Sequence, residues 1–188
     1  CVDTLTAIQE NQLAADQQKP GHDEWRDYGL SVYHFLTQLQ DLGFELVLIL
    51  GEPGTGKSSG MRTLLDGENI WYNADRKNST WLGGTKIYGK KNKPTHLHVI
   101  PKTYAEIITH LKSAIDAGAF GEERVAFITG HTETYKSGYE TRVRLKTLGK
   151  LANKMQVEGK LEVVCYSRVE KDIATGDVKF LLHTQNDG

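Results

Sequence analysis

An octapeptide that directly follows an apolar run constrains the fold of this chain more than any other feature. The run is LVLIL, residues 46–50, and the octapeptide is GEPGTGKS, residues 51–58. Its spacing, a glycine, four residues and then Gly-Lys-Ser, is that of a phosphate-binding loop. A continuous apolar run is typical of a parallel strand buried on both faces, and segment 57–65 has the pattern of a helix. The octapeptide therefore predicts a strand–loop–helix unit of an α/β sheet.

Each residue type in this loop has a physical task. Glycines allow tight turns and let backbone N–H groups approach phosphate oxygens. Lys57 supplies a mobile positive charge for the outer phosphates, and Ser58 offers a hydroxyl to Mg²⁺ at a helix N-terminus that favours anions. ATP and Mg²⁺ are the expected ligands, GTP stays open as the nucleotide, and a glycine-rich turn without a ligand is the alternative. The predicted nucleotide-binding residues are Gly51, Glu52, Pro53, Gly54, Thr55, Gly56, Lys57, Ser58 and Ser59.

Bulk composition indicates an ordinary globular protein. The 188 residues suffice for one core, and 38% hydrophobic with 25% charged residues are average values. A net charge of −1 gives no global sign of nucleic acid, and no apolar run approaches the roughly 20 residues that span a bilayer. We therefore expect a cytoplasmic protein without a membrane segment. A polar N-terminal arm is expected over 1–22 and one domain over 23–188, truncated at its C-terminus.

Hydrophobic periodicity divides the chain into alternating helices and strands. Residues 1–20 read as a loosely held helix or arm, and the first regular helix is bounded by an N-cap at Ser31 and a stop at Gly43. The other expected non-strand segments are a loop at 22–28, a helix at 104–117 and a basic, partly helical stretch at 138–155. The expected strands are 69–75, 96–100, 125–129, 161–169 and 178–183. This pattern predicts an α/β fold with a largely parallel sheet flanked by helices and a C-terminal β-hairpin.

Further residues are candidates for the chemistry of a triphosphatase, which needs a group that positions water and usually a carboxylate for Mg²⁺. Asp75 follows the second strand, where ligands collect in open α/β sheets, and is the candidate for both roles. Capping the next turn is the alternative for Asp75. The strand 125–128 continues into Thr129 and His131, where a Walker-B strand would end in Asp. Thr129 and His131 are therefore sensor candidates, and Glu133 is a candidate catalytic carboxylate.

Basic residues cluster in two segments although the total charge is near zero. A glycine-rich loop, 76–94, carries Lys86, Lys90, Lys91 and Lys93 beside Trp81 and Tyr88. The segment 136–160 also has a surplus of basic residues. Basic loops with aromatic neighbours suit single-stranded DNA, through phosphate neutralisation and base stacking, and a solvated surface is the alternative. Arg142 and Arg144 are candidate fingers that reach the γ-phosphate of a neighbouring subunit.

The segment Trp71-Tyr72-Asn73-Ala74-Asp75 resembles the strand end that carries the catalytic glutamate of RecA-like recombinases, with the shorter Asp75 at that position. From about Asp23 onward the chain is similar to the short RecA-like ATP-binding proteins of tailed bacteriophages, the Sak-type recombination ATPases and their relatives. Segments 148–151, 157–159 and 184–188 carry the rest of the likeness. The resemblance implies a RecA-like P-loop core that acts in phage recombination or replication on single-stranded DNA. It also implies a partner annealing protein and a homo-oligomer.

Three functions are compatible with these residues. The first is a RecA-like ATPase, in which Lys57 and the loop hold the phosphates, Ser58 holds Mg²⁺ and Asp75 positions water. The second is a nucleotide-dependent switch or assembly module with little turnover, which the absent Walker-B Asp favours. The third is a small-molecule kinase, with 77–93 as its lid.

Overall fold

A computed structural model describes residues 2–3, 5–15, 22–57, 69–74, 89–90, 93–94, 96–146, 157 and 161–184. Within these ranges strands alternate with helices, as predicted. The helices are α1 Leu5–Ala15, α2 His22–Asp41 and α3 Tyr104–Asp116. The strands are β1 Val2–Asp3, β2 Phe44–Leu50, β3 Asn69–Asn73, β4 Gly89–Lys90, β5 Lys93–Pro94, β6 His96–Val99, β7 Arg124–Gly130, β8 Thr132–Ser137, β9 Glu140–Leu145, β10 Val163–Lys171 and β11 Val178–Thr184.

Seven strands form one mostly parallel sheet in the order β11-β10-β2-β7-β1-β3-β6. All its pairs are parallel except β10 with β11, which form the predicted C-terminal hairpin. Strand β2 lies inside the sheet, and Leu46, Leu48 and Leu50 are fully buried. The apolar run thus occupies the buried position that its composition predicted. The α/β class, with a largely parallel sheet flanked by helices, is confirmed.

Helices α2 and α3 supply much of the core. Phe35 of α2 stacks on Tyr104 of α3 with ring centroids 4.6 Å apart. Helix α2 ends at Asp41, and the predicted stop Gly43 follows it with a φ of +79°, which suits a residue without a Cβ. Thr103 is the N-cap of helix α3, because its Oγ1 accepts the N–H of Glu106 at 3.2 Å. No helix among the described residues is long and apolar enough to cross a bilayer.

The expectation of a loosely held N-terminal arm is wrong for residues 2–15. Strand β1 pairs with β7 on one side and with β3 on the other. Leu5 and Ile8 of α1 are fully buried, and the hydroxyl of Tyr104 donates to Leu5 O at 2.8 Å. Burial raises the pKa of Tyr104 well above its ordinary value, so the phenol keeps the proton that it donates. Apolar residues spaced three apart among polar ones gave too weak a pattern to indicate this burial.

Helix α2 begins nine residues earlier than predicted, at His22. The expected loop at 22–28 is therefore helical, and Ser31 lies inside the helix instead of capping it. The mixed charge of this stretch favoured a loop in the sequence analysis. Among the side chains of α2 that the structure describes, Val32 is the first that is buried.

The basic segment that was expected to be partly helical begins instead as a strand. Strands β8 and β9 form an antiparallel hairpin, which turns at Gly138 with a φ of +64°. Thr141 and Val143 of β9 favour a strand, and this signal was missed because the segment carries several basic residues. The predicted helix after Lys57, most of the loop at 76–94 and residues 147–155 lie outside the described ranges.

Residues 2–15 are expected to contribute fully to stability. Leu5→Ala should lower the free energy of unfolding by about 2–5 kcal/mol, because its side chain is fully buried. Leu182→Ala is the matched control, since it removes the same atoms from a side chain that is 63% exposed. Guanidinium unfolding followed by circular dichroism measures both variants, and equal losses would contradict a buried N-terminus.

Candidate functional site

The sequence-predicted phosphate loop lies between two neighbouring strands. Leu50, the last residue of β2, is paired with Gly130 of β7 and with Tyr166 of β10. The N–H of Gly51 continues this pairing by donating to Gly130 O at 3.3 Å. Residues 51–57 therefore leave the sheet at the carboxyl ends of its strands, the edge where α/β proteins bind their ligands.

Two glycines give the loop its shape. Gly54 and Gly56 have φ values of +83° and +86°, in the left-handed region that glycine adopts without strain. Between them Thr55 closes a turn, since its Oγ1 donates to Glu52 O at 2.8 Å. Turns of this kind are the backbone conformations from which anion-binding concavities are built.

Lys57 folds back onto the start of the loop. Its Nζ donates to Gly51 O at 2.7 Å and to Glu52 O at 2.8 Å, and the residue is only 9% exposed. These contacts join the last residue of the described loop to its first two. The ammonium charge is thereby held within the loop, next to the backbone that is predicted to bind phosphate.

Residues from β10 and β8 hold the loop from either side. The Ser167 hydroxyl of β10 donates to Thr55 O, and the Thr132 hydroxyl of β8 donates to Glu52 Oε1 at 2.8 Å. The second bond ties the Glu52 carboxylate to β8. The loop is therefore fixed by hydrogen bonds to β10, a neighbour of β2 in the sheet, and to β8, the strand that follows β7 along the chain.

Gly130 permits close packing where β7 ends. A Cβ at this position would overlap Cδ1 of Leu145 and lie 3.0 Å from Cδ2 of Leu50. Sequence reasoning missed Gly130, Thr132 and Ser167 as residues of the site. Gly130 could have been recognised from its place at the end of an apolar strand. Thr132 and Ser167 could not, because their positions in the sequence have no recognisable spacing to the loop.

The sensor candidates lie near the loop along β7. Thr129 is fully buried and is paired with Ile49, one residue before the end of β2. His131 is half-buried, and its carbonyl accepts the N–H of Lys146 at 2.8 Å. The structure thus brings both residues to the edge that carries the loop, and their sensor roles stay predictions.

The candidate catalytic carboxylate Glu133 and the candidate finger Arg144 are joined to each other. Arg144 Nε lies 2.7 Å from Glu133 Oε1, and both side chains are 29% exposed. The guanidinium also lies over the ring of Tyr135, 4.6 Å from its centroid. Glu133 and Arg144 therefore form a cross-strand ion pair within β8 and β9, while Arg142 on β9 is exposed.

Ser58, Ser59 and Asp75 lie outside the described residues. Strand β3, which leads toward Asp75, is separated from β2 by β7 and β1. Three strand spacings place the end of β3 about 14 Å from the end of β2. Among the described residues no group of three or more His, Cys, Asp or Glu side chains is placed to hold a metal ion.

Comparison with known proteins identifies no relative. No protein-family model, no curated protein and no solved structure matches this chain. Any function must therefore be inferred from the geometry of the loop and its surroundings.

Ser167 lies so close to the loop that there is no room for a side chain at Gly51. A Cβ on Gly51 would lie 2.7 Å from both Ser167 O and Thr55 Oγ1. Gly51→Ala should therefore lower the free energy of unfolding by about 1–3 kcal/mol. Gly121→Ala is the matched control, because a Cβ there meets nothing within 4 Å and the change is neutral or slightly stabilising. Chemical unfolding compares the two, and a harmless Gly51→Ala would contradict the packing of the loop on β10.

Proposed function

We propose that this protein is a RecA-like P-loop ATPase that binds ATP with Mg²⁺ and hydrolyses it. The observation that carries the proposal is the loop itself. Its glycines adopt left-handed conformations, its lysine is held within it, and it leaves β2 at the carboxyl edge of the sheet. A buried strand followed by such a loop is the arrangement that the phosphate-binding pattern requires.

Each residue has a distinct task in this proposal. Lys57 and the backbone N–H groups of the loop neutralise the phosphates, with the lysine leaving or sharing its carbonyl partners. Ser58 holds Mg²⁺, which supplies charge neutralisation to the phosphate oxygens when it is bound. Asp75 orients the attacking water, and Thr129 and His131 sense the γ-phosphate from the end of β7.

A nucleotide-dependent switch with little turnover is the second candidate, and a specific observation favours it. Strand β7, next to β2, carries the buried Thr129 as its last residue but one, near the position where a carboxylate would hold the metal. Glu133, the nearest acid along the chain, is engaged by Arg144. A site with weak metal ligands favours binding over fast hydrolysis.

ATP binding and turnover of the purified protein test the proposal. Lys57→Ala should lower the rate of ATP hydrolysis by about 100-fold or more, because it removes a charge that stabilises the transferring phosphoryl group. Lys179→Ala removes an exposed lysine of β11 and should leave the rate unchanged. Phosphate release with Mg²⁺, with and without single-stranded DNA, gives the rates, and titration calorimetry gives the affinity.

The results separate the two candidates. Turnover that is lost in both Lys57→Ala and Asp75→Ala supports the ATPase. Tight ATP binding without turnover, with or without DNA, supports the switch. A wild-type protein that binds no nucleoside triphosphate would refute both.

We propose further that the protein acts on single-stranded DNA in phage recombination or replication, in the cytoplasm, as a homo-oligomer and beside an annealing protein. The β8–β9 hairpin supports the contact with DNA. Tyr139 at its tip is fully exposed, and Lys136, Arg142 and Lys146 are exposed along it. Aromatic and basic side chains together suit stacking on bases and neutralisation of phosphates. The Thr132–Glu52 hydrogen bond connects the base of this hairpin to the phosphate loop.

The hairpin is expected to set the affinity for DNA. Tyr139→Ala should weaken binding of an oligo-dT strand by about five- to hundredfold, through lost stacking. Arg142→Ala should lower the salt dependence of binding, since each phosphate contact contributes about 0.7 to the slope for single strands. Ile173→Ala is the control, because this residue is equally exposed at the tip of the β10–β11 hairpin. Fluorescence anisotropy over a salt series measures all three, and a loss no larger than that of the control would exclude the β8–β9 hairpin.

A further inference from the structure

Phe180 of β11 is an exposed aromatic ring beside the phosphate loop that the proposed hydrolysis leaves without a role. The residue is 62% exposed. A Cβ built on Gly56 would lie 2.9 Å from its Cδ1 and 3.5 Å from its Cγ and Cε1. The ring therefore lies against the last glycine of the loop, one residue before Lys57.

Strand register places Phe180 on the same face of the sheet as the loop. Side chains of directly paired residues point to one face, and Phe180 is paired with Val169 while Leu182 is paired with Ser167. Ser167 is the residue whose hydroxyl donates to Thr55 O. Phe180 and Ser167 thus contact the loop from the same face of the β10–β11 hairpin.

This face carries an exposed apolar surface. Val169, Val178, Phe180 and Leu182 are 42%, 51%, 62% and 63% exposed. Exposed apolar area beside a phosphate loop favours a ligand that is flat and apolar at one end and anionic at the other. A nucleoside triphosphate has this form.

We propose that the ring of Phe180 is the stacking platform for the nucleobase of the nucleotide whose phosphates bind at the loop 51–57. This inference rests on the proposed nucleotide binding and adds the residue that contacts the base. Every base has a π-face, so stacking of this kind tolerates different bases. The proposed site therefore accepts both purine nucleoside triphosphates, ATP and GTP, and discriminates poorly between them.

Two ligands distinguish the contribution of the base to the binding affinity from that of the phosphates. ATP carries both, whereas inorganic tripolyphosphate carries the phosphates alone. Phe180→Ala should weaken ATP binding by about five- to hundredfold, the range of base stacking on an aromatic ring, and should leave the affinity for tripolyphosphate unchanged. GTP should lose the same factor as ATP. Titration calorimetry with Mg²⁺ on the full chain measures all three ligands.

Matched variants exclude a merely structural effect. Phe180→Tyr keeps the ring and should keep the affinity for ATP. Ile173→Ala truncates an exposed apolar side chain at the tip of the same hairpin, outside this apolar surface, and should change neither affinity. Equal loss of ATP and tripolyphosphate in Phe180→Ala would mean that the ring only supports the loop, and would overturn the inference.

The remaining outcomes are also decisive. If Phe180→Ala leaves ATP binding unchanged but has a lower molar mass than the wild type by light scattering, the ring belongs to an interface between copies of the chain. That result would overturn the inference. If the wild-type protein binds ATP no more tightly than tripolyphosphate, the inference is overturned, but the proposed binding of phosphates by the loop still holds. A wild-type protein that binds neither ligand would refute the proposed function itself.

Discussion

Parallel pairing of β2 with β7 and β10 is the constraint on which the site depends. It sets Leu50 beside Gly130 and Tyr166, so the segments that follow these three residues meet at one edge of the sheet. Ser167 follows the partner of Leu50 in β10, and Thr132 begins β8 just after the end of β7, so both hydroxyls reach the loop. A slip of β10 by one residue would turn the Ser167 side chain to the other face. The loop owes its shape to its own glycines and its position to its neighbours.

The short strand β1 extends the same dependence across the sheet. Val2 is paired with Ile128 of β7 and with Tyr72 of β3. Strand β1 therefore joins the half of the sheet that carries the loop to the half that contains β3. The fully buried Leu5 and Ile8 hold the segment in place. The separation between the loop at 51–57 and the end of β3 is therefore set partly by the first residues of the chain.

Local patterns were sufficient where one short segment carried its own signal. The apolar runs of β2 and β7, the amphipathic helix α3 and the hairpin of β10 and β11 were all predicted close to their observed bounds. The N-terminal segment, the start of α2 and the β8–β9 hairpin were not. In the N-terminal segment and the hairpin, polar residues obscure the apolar pattern, and a partner distant in sequence buries apolar side chains such as Leu5. Leu145, for example, is buried in a basic strand because Gly130 leaves room for it.

The sequence by itself determined the backbone conformation of the loop at 51–57, since glycine at 54 and 56 is a local requirement of its left-handed turns. It also determined that the loop follows a buried strand. Only the tertiary structure decided that Ser167 and Thr132 would hold the loop, that Glu133 would pair with Arg144, and that Phe180 would lie against Gly56. These contacts join residues separated by 11 to more than 100 positions, and strand order and register decide them, which no local pattern records.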